Sequence, residues 1–315
     1  MKTLKKHILD IDHLDRDYIY EILEKAKNLK NNKNSEGNFS NKHICTLFYE
    51  DSTRTRLSFE KAAINLEVKF HNIELSKSSI NKGESFYNTL KTIDSIGMDM
   101  IIIRHPSSGA ASFAAKHTKA SIVNAGDGSH AHPTQTLSDL FTIYERNIDF
   151  SSLEISIVGD FLFSRVARST IIGFAMMGSK VNIIGPSELI SNEIIRAYEN
   201  LPLIKNGQIT VYDEIEKPLM KSDIVMPLRI QKERFTSSFN LDFESYKKFW
   251  KIDEKLINNS NKNILIMHPG PVNEEIEISH KLVHSDKSLI NLQVENGVFI
   301  RETIMRELLS WMIWF

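Results

Sequence analysis

Nine short apolar runs, separated by segments whose apolar residues recur at helical spacing, constrain this chain more than any other feature. The runs are 44–49, 68–73, 100–104, 121–124, 155–159, 181–185, 209–212, 223–227 and 263–267. Helical periodicity covers about 15–30, 54–66, 84–96, 110–116, 134–146, 165–178, 188–199, 242–250 and 297–313. Runs this short and apolar, alternating with amphipathic helices, predict an α/β fold of two domains, each a parallel sheet flanked by helices. A length of 315 residues suits two domains. The reading places them at 1–133 and 134–291, with the last helix, about 292–315, returning to the first. In such sheets ligands bind at the carboxyl ends of strands, where loops meet helix starts.

Composition narrows the function classes. The formal net charge of −1, with 25% charged and 41% hydrophobic residues, gives no overall basic field. Neither nucleic acid nor a membrane surface is expected as a partner, and any anion site must be local. The single cysteine, Cys45, lies in the first apolar run; an internal disulfide is impossible, and a reducing cytoplasm is expected. With no base indicated beside it, Cys45 reads as structural rather than nucleophilic. Residues Met1 to His7 lack the apolar core of a secretory leader. The apolar stretch Leu308 to Phe315 is too short to span a bilayer and is expected to pack the last helix onto the body. No cofactor and no metal are expected, since the histidines are read as unpaired and have no cysteine partners.

The segment Phe48 to Glu60 carries the most chemistry. Ser52 and Thr53 are N-cap types, and Leu57, Phe59, Ala62, Ala63, Ile64 and Leu66 are read as the apolar face of the helix that follows. Arg54 and Arg56 therefore fall in a first helical turn, where the macrodipole is already positive. Cations are unfavourable there unless they share an anion. Backbone N–H groups, hydroxyls and guanidinium groups converging on one helix start form a phosphate site.

Other constellations end strands. Arg104 closes the run Met100 to Ile103, as a ligand contact or as a structural ion pair. His132-Pro133-Thr134-Gln135 opens a helix with proline at its start; a histidine and an amide there can bind a carbonyl and an amino group together, or simply begin the helix. Met267-His268-Pro269-Gly270-Pro271 is a rigid loop whose carbonyls can accept from an –NH2 group. Arg229 and Gln231 alternate to one side of an extended segment, and Lys232-Glu233-Arg234 reads as a solvated face. Gly159 to Arg165 has a strand–Gly–helix setting without the Gly-x-Gly-x-x-Gly spacing of a dinucleotide site, so Arg165 is read as a carboxylate clamp.

Ser52-Thr53-Arg54-Thr55-Arg56, His132-Pro133-Thr134-Gln135 and His268-Pro269-Gly270-Pro271, in this order, resemble the aspartate/ornithine carbamoyltransferase family over nearly the whole chain. Ornithine-directed members typically carry a cysteine in a His-Cys-Leu-Pro loop, where Pro269 stands here, and the stretch Arg229 to Arg234 resembles an aspartate-binding loop. Paired arginines suit a dicarboxylate and repel a cationic acceptor. The resemblance implies transfer of the carbamoyl group of carbamoyl phosphate to L-aspartate, giving N-carbamoyl-L-aspartate and phosphate in pyrimidine biosynthesis. The alternatives are another amino-acid acceptor, or a catalytically silent homologue acting as scaffold.

It implies residue roles as well. Ser52, Thr53, Arg54 and Thr55 hold the phosphate. Arg104 spans phosphate and carbamoyl oxygen, and His132 donates to that oxygen. Gln135 and the carbonyls of Gly270 and Pro271 hold the carbamoyl –NH2. Arg165, Arg229 and Gln231 hold aspartate. Lys82, with Ser78 or Ser79, comes from a neighbouring subunit of a homotrimer with shared active sites. A regulatory chain or a dihydroorotase is left open as a further partner. The chain departs from many relatives at Phe163, where a hydroxyl-bearing residue is common, and at Gly270, where leucine or alanine is common.

Overall fold

Each of the nine apolar runs overlaps a strand, with ends that differ by up to three residues. They are β1 His43–Phe48, β2 Lys69–Ile73, β3 Met100–His105, β4 Ser121–Asp127, β5 Glu154–Val158, β6 Lys180–Ile184, β7 Ile209–Tyr212, β8 Ile224–Pro227 and β9 Leu265–Ile266. The helices are α1 Arg16–Lys30, α2 Thr53–Asn65, α3 Phe86–Ile96, α4 Ala110–His117, α5 Pro133–Tyr144, α6 Arg165–Met177, α7 Asn192–Glu199, α8 Glu216–Leu219, α9 Phe243–Trp250, α10 Glu254–Asn258, α11 His280–Val283 and α12 Ile290–Trp311. The computed structural model describes residues 5–31, 37–74, 82–202, 204–205, 207–231, 234–235, 241–260 and 262–311. Helices α8, α10 and α11, of 4, 5 and 4 residues, escape a sequence reading because they complete barely one turn. The segment read as one helix from 188 is a 3-10 turn, Ser187–Leu189, followed by α7, and α12 starts seven residues before its expected onset at 297.

The chain divides into one unit of Met1–Phe141 with Val294–Phe315 and another of Thr142–Gln293. The first holds a four-stranded sheet in the order β2-β1-β3-β4, the second a five-stranded sheet in the order β7-β6-β5-β8-β9. Every pairing is parallel. Central strands are buried on both faces; β1 hides Ile44, Cys45 and Leu47, which is why they read as continuous apolar runs. Burial pushes the Cys45 thiol up to about 12, so it stays protonated and acts as a small core residue. Leu308 and Leu309 are buried as expected, while Met312 to Phe315 lie outside the described residues. Among the described residues no helix is long and apolar enough to cross a membrane.

Helix α2 corrects one expectation. Phe59, Ala62, Ala63 and Leu66 are buried, but Leu57 is 53% and Ile64 60% exposed. The buried four follow i, i+3, i+4, i+7 from Phe59, a single stripe at 100° per residue. Leu57 lies about 200° before Phe59 on that wheel and Ile64 about 140° beyond it, so both point away from the core.

Both sheets contain a reversal of strand order. In the first, the chain leaves β1 towards β2 on one side, and β3 and β4 continue on the other. In the second, β6 and β7 lie on one side of β5 and β8 and β9 on the other. At such a reversal successive crossovers run to opposite faces, which opens a crevice at the carboxyl ends of the two central strands.

Candidate functional site

In the first unit the reversal lies between β1 and β3, where Phe48 is in register with Arg104 and the Tyr49 N–H donates to the Arg104 carbonyl at 2.8 Å. Four residues beyond β1 the chain enters α2. Ser52 takes the N-cap position in an extended conformation, with no side-chain capping bond. Its hydroxyl is thus not spent on the helix, although the residue is of N-cap type and holds that position. Thr53 and Arg54 are exposed, Thr55 is buried, and the Thr55 carbonyl accepts from Ser58 Oγ at 2.9 Å. The Arg104 side chain is drawn along the strand ends. Its Nη1 donates to the Ala125 carbonyl at 3.3 Å, and its Nε lies 3.7 Å from the Glu50 carboxylate. Lys82 is exposed on the connection between edge strand β2 and α3. Ser78 and Ser79 lie outside the described residues.

The loop from β4 to α5 delivers His132, which is buried; its carbonyl accepts from the backbone N–H groups of Gln135 and Thr136. Gln135 Nε2 donates to Asp139 Oδ1 at 2.8 Å. That bond, one helical turn along, fixes the amide so that Oε1 can accept from a ligand N–H. Asp139 is fully buried, and its charge acts on the nearly buried Arg301 of α12, a residue that sequence reasoning did not single out. A Cβ at Gly297 would lie 2.3 Å from Arg301 Nη1, so glycine one turn earlier makes room for the guanidinium.

Asp127 anchors the same loop. It accepts from the Gly109 N–H at 2.7 Å, from Asn124 Nδ2 at 2.9 Å and from the Ala131 N–H at 3.2 Å. His130 bridges Asp127, at 3.2 Å, and the buried Asp10, at 3.1 Å. Hydrogen bonds to Asp10 and Asp127 outweigh burial and raise His130 from 6.5 to about 9. A group raised on folding contributes stability that is fully present below its unfolded pKa and is lost as pH rises through the folded one. Stability is therefore expected to decline between pH 6.5 and about 9, and His130→Asn to flatten that decline. Denaturant midpoints measured across this range check it; parallel profiles for the two proteins would refute it.

In the second unit the reversal lies between β5 and β8, with Val158 in register with Pro227. The chain leaves β5 through Gly159, at φ +124°, where a Cβ would stand 2.8 Å from Tyr246 Oη. This glycine serves the approach of the Tyr246 side chain, which explains a strand–Gly–helix setting without the remaining glycines. Arg165 opens α6 behind the Ser164 cap and is buried. Beyond β8, Leu228 and Ile230 are fully buried while Arg229 and Gln231 are half-buried, so the expected alternation holds. The two loops are tied by Asp160, whose carboxylate accepts from the Phe163 N–H at 2.9 Å and the Gln231 N–H at 3.2 Å. Burial outweighs these bonds and raises its pKa. Arg234 is not a solvated charge: it is half-buried, and its Nη1 donates to the Phe163 carbonyl at 2.9 Å. Lys232 and Glu233 lie outside the described residues.

Beyond β9, His268 sets the Pro269–Pro271 loop. Its N–H donates to Gln293 Oε1, and its Nδ1 accepts from the Gly270 N–H, each at 2.8 Å. Its Nε2 stands 3.4 Å from Glu277, and the same Glu277 oxygen accepts from the Asn273 N–H at 2.6 Å. Gly270 lies at φ +67°, a left-handed conformation that leucine or alanine would strain. Of the supporting residues missed in the sequence, Asp139 was legible as the i+4 neighbour of Gln135. Glu277 had no local signal. The histidines were also misread as unpaired: His280 and His284 stand four apart, and with Glu274 they group their ligand atoms within 4.8 Å.

Comparison with known proteins agrees with this architecture. The family profile described as aspartate/ornithine carbamoyltransferase, carbamoyl-P binding domain, matches residues 6–145; that described as the Asp/Orn binding domain matches residues 151–308. The aspartate carbamoyltransferase catalytic subunit of Ruminiclostridium cellulolyticum is 40% identical, over 97% of this chain and 96% of its own. That of Acetivibrio thermocellus is 42% identical over 95% and 94%. Among solved structures, the aspartate transcarbamoylase of Trypanosoma cruzi in complex with N-(phosphonacetyl)-L-aspartic acid is similar with a TM-score of 0.84. It is 26% identical, with 97% and 96% of the two chains covered. The catalytic subunit of M. jannaschii aspartate transcarbamoylase has a TM-score of 0.81 and 31% identity, with 97% and 98% covered. Two profile matches that together span nearly every residue, and relatives at about two-fifths identity along their whole length, leave one conclusion: the chain belongs to the aspartate/ornithine carbamoyltransferase family.

Proposed function

We propose that this chain transfers the carbamoyl group of carbamoyl phosphate to the amine of L-aspartate, releasing N-carbamoyl-L-aspartate and phosphate. The observation that carries the reading is the start of α2, where an N-cap serine with an uncommitted hydroxyl precedes an exposed arginine in the first turn. Guanidinium groups, a hydroxyl and the N–H groups of a helix start converging there suit a polyanion. The aspartate-directed names of the full-length relatives support the acceptor.

Ser52, Thr53, Arg54 and Thr55 bind the phosphate. Arg104, His132 and Thr55 stabilise the negative charge that grows on the carbamoyl oxygen. Gln135 Oε1 and the carbonyls of Gly270 and Pro271 accept from the carbamoyl –NH2. Arg165, Arg229 and Gln231 bind the aspartate carboxylates. The deprotonated aspartate amine attacks the carbamoyl carbon, the new C–N bond forms as the C–O bond to phosphate breaks, and the departing phosphate takes the amine proton. No residue becomes covalently attached. Positioning of two anions supplies most of the rate, an effect worth up to about 7–11 kcal/mol, from charge-assisted hydrogen bonds of about 1.5–3 kcal/mol each. A panel of acceptors offered with carbamoyl phosphate tests this: aspartate is carbamoylated and ornithine is not. Turnover with ornithine and none with aspartate would overturn the acceptor assignment.

The working form is a cytoplasmic homotrimer in which Lys82 completes a neighbour's site. Exposed Leu57 and Ile64 on α2 are apolar surface of the kind that assembly covers, and exposed Lys82 has reach for a partner's anion. Mixing inactive Arg54→Ala chains with inactive Lys82→Ala chains under exchange conditions should restore part of the activity. Sites within single chains would leave the mixture dead.

A further inference from the structure

Glu274, His280 and His284 take part in none of the roles above. We propose that they form a surface site for a divalent cation of the zinc class. His280 opens α11 and His284 follows its end, so their side chains stand one turn apart on one face; the ring centroids are 4.5 Å apart and tilted by 54°. Glu274 reaches both. Its Oε2 is 2.5 Å from His280 Nδ1 and its Oε1 is 3.4 Å from His284 Nε2.

Each residue offers one ligand atom, and the three lie within 4.8 Å of one another. Among the described residues this is the one group of three that does so. Zinc takes nitrogen and carboxylate oxygen at about 2.0–2.2 Å, which sets tetrahedral ligand atoms about 3.3–3.5 Å apart. Small side-chain rotations from the observed positions meet that spacing.

The triad is held from behind. The Glu275 carboxylate accepts from the His280 N–H at 2.8 Å and pairs with Lys251 at 3.0 Å. The Glu275 N–H donates to the Ile278 carbonyl at 2.8 Å. Two imidazoles and one carboxylate suit Zn2+, Co2+ or Ni2+, whereas Mg2+ and Ca2+ prefer all-oxygen sites. All three side chains are exposed, so a bound cation keeps water at its remaining positions and binds reversibly.

The test uses the full chain purified without a histidine tag, freed of metal by chelator and titrated calorimetrically with ZnCl2. One equivalent should bind. His284→Ala, His280→Ala and Glu274→Gln should each weaken binding by roughly 10-fold or more, with melting temperatures in the absence of metal unchanged. MgCl2 should give no binding. The His43–His71 pair, 3.1 Å apart, is the control: His43→Ala should leave the main site intact. Absence of zinc binding, or binding that survives in His284→Ala and Glu274→Gln, or loss of the site in His43→Ala, overturns the proposal.

Discussion

Arg54→Ala is expected to lower turnover by about 10²–10³-fold or more, the range for loss of one donor to developing charge, without loss of stability. Arg54 is exposed in the first turn of α2, and alanine is at least as good a helix former. Removing a cation from a helix N-terminus relieves a dipole repulsion of about 0.3–1 kcal/mol. The pairing of outcomes is what discriminates: a carbamoyl-aspartate assay falls to background while the melting temperature stays level or rises. An arginine serving only the fold would give the reverse, and a variant with full activity would remove the phosphate assignment.

The second large effect is on stability. Asp139 is fully buried and Arg301 nearly so. The guanidinium lies over the Phe59 ring at 5.2 Å; burial lowers its pKa to about 10, and the charge of Asp139 opposes that shift. Asp139→Ala removes the negative charge that opposes the burial cost of the Arg301 guanidinium, at a cost of up to about 3–5 kcal/mol, the figure for a buried pair broken on one side, against a total of about 5–15 kcal/mol for a native protein. Removing both charges in Asp139→Ala/Arg301→Met should recover most of the loss, because the second change removes the buried guanidinium. Asp139 also holds Gln135, so the double variant regains stability while binding carbamoyl phosphate more weakly. Denaturant unfolding of the two single variants and the double variant measures the coupling. A loss below about 1 kcal/mol in Asp139→Ala would show that Arg301 is neutralised by other means.

How far the chain could be read in advance differs from element to element. Strands buried on both faces, such as β1 and β3, announce themselves because each residue must be apolar wherever it points. The position of Arg104 followed from the same logic, since a polar residue ending such a run leaves the core at the carboxyl edge; Arg54 followed from its place in a first helical turn and Arg229 from alternation along an extended segment. Leu57 and Ile64 show where it failed. Apolar identity was taken for burial, although the helical wheel already set both apart from Phe59 and Ala63. Arg234 failed differently: within a run of charges it read as solvated, whereas the Phe163 carbonyl, 71 residues away in sequence, and the charge of Asp160 draw it inward.

The supporting carboxylates divide the same way. Asp139 lies one turn from Gln135 and was within reach of helical spacing. Asp160 joins two loops 71 residues apart, and His130 joins Asp127 to Asp10 near the start of the chain. No local pattern encodes such pairs, because the bond forms between strand ends that only sheet order makes neighbours.

From its residues alone the chain determined its class, its strands, the clustering of hydroxyls and arginines at one helix start and the family it resembles, since all of these are short-range consequences of side-chain type and spacing. Tertiary structure decided which strands lie side by side, and hence that Arg104 meets Glu50, that Asp160 holds Gln231 and that Glu274 reaches two histidines. The reason is physical: spacing along a helix or strand is set by bond geometry within a few residues, whereas the order of strands in a sheet is set by how whole elements cover one another's apolar faces.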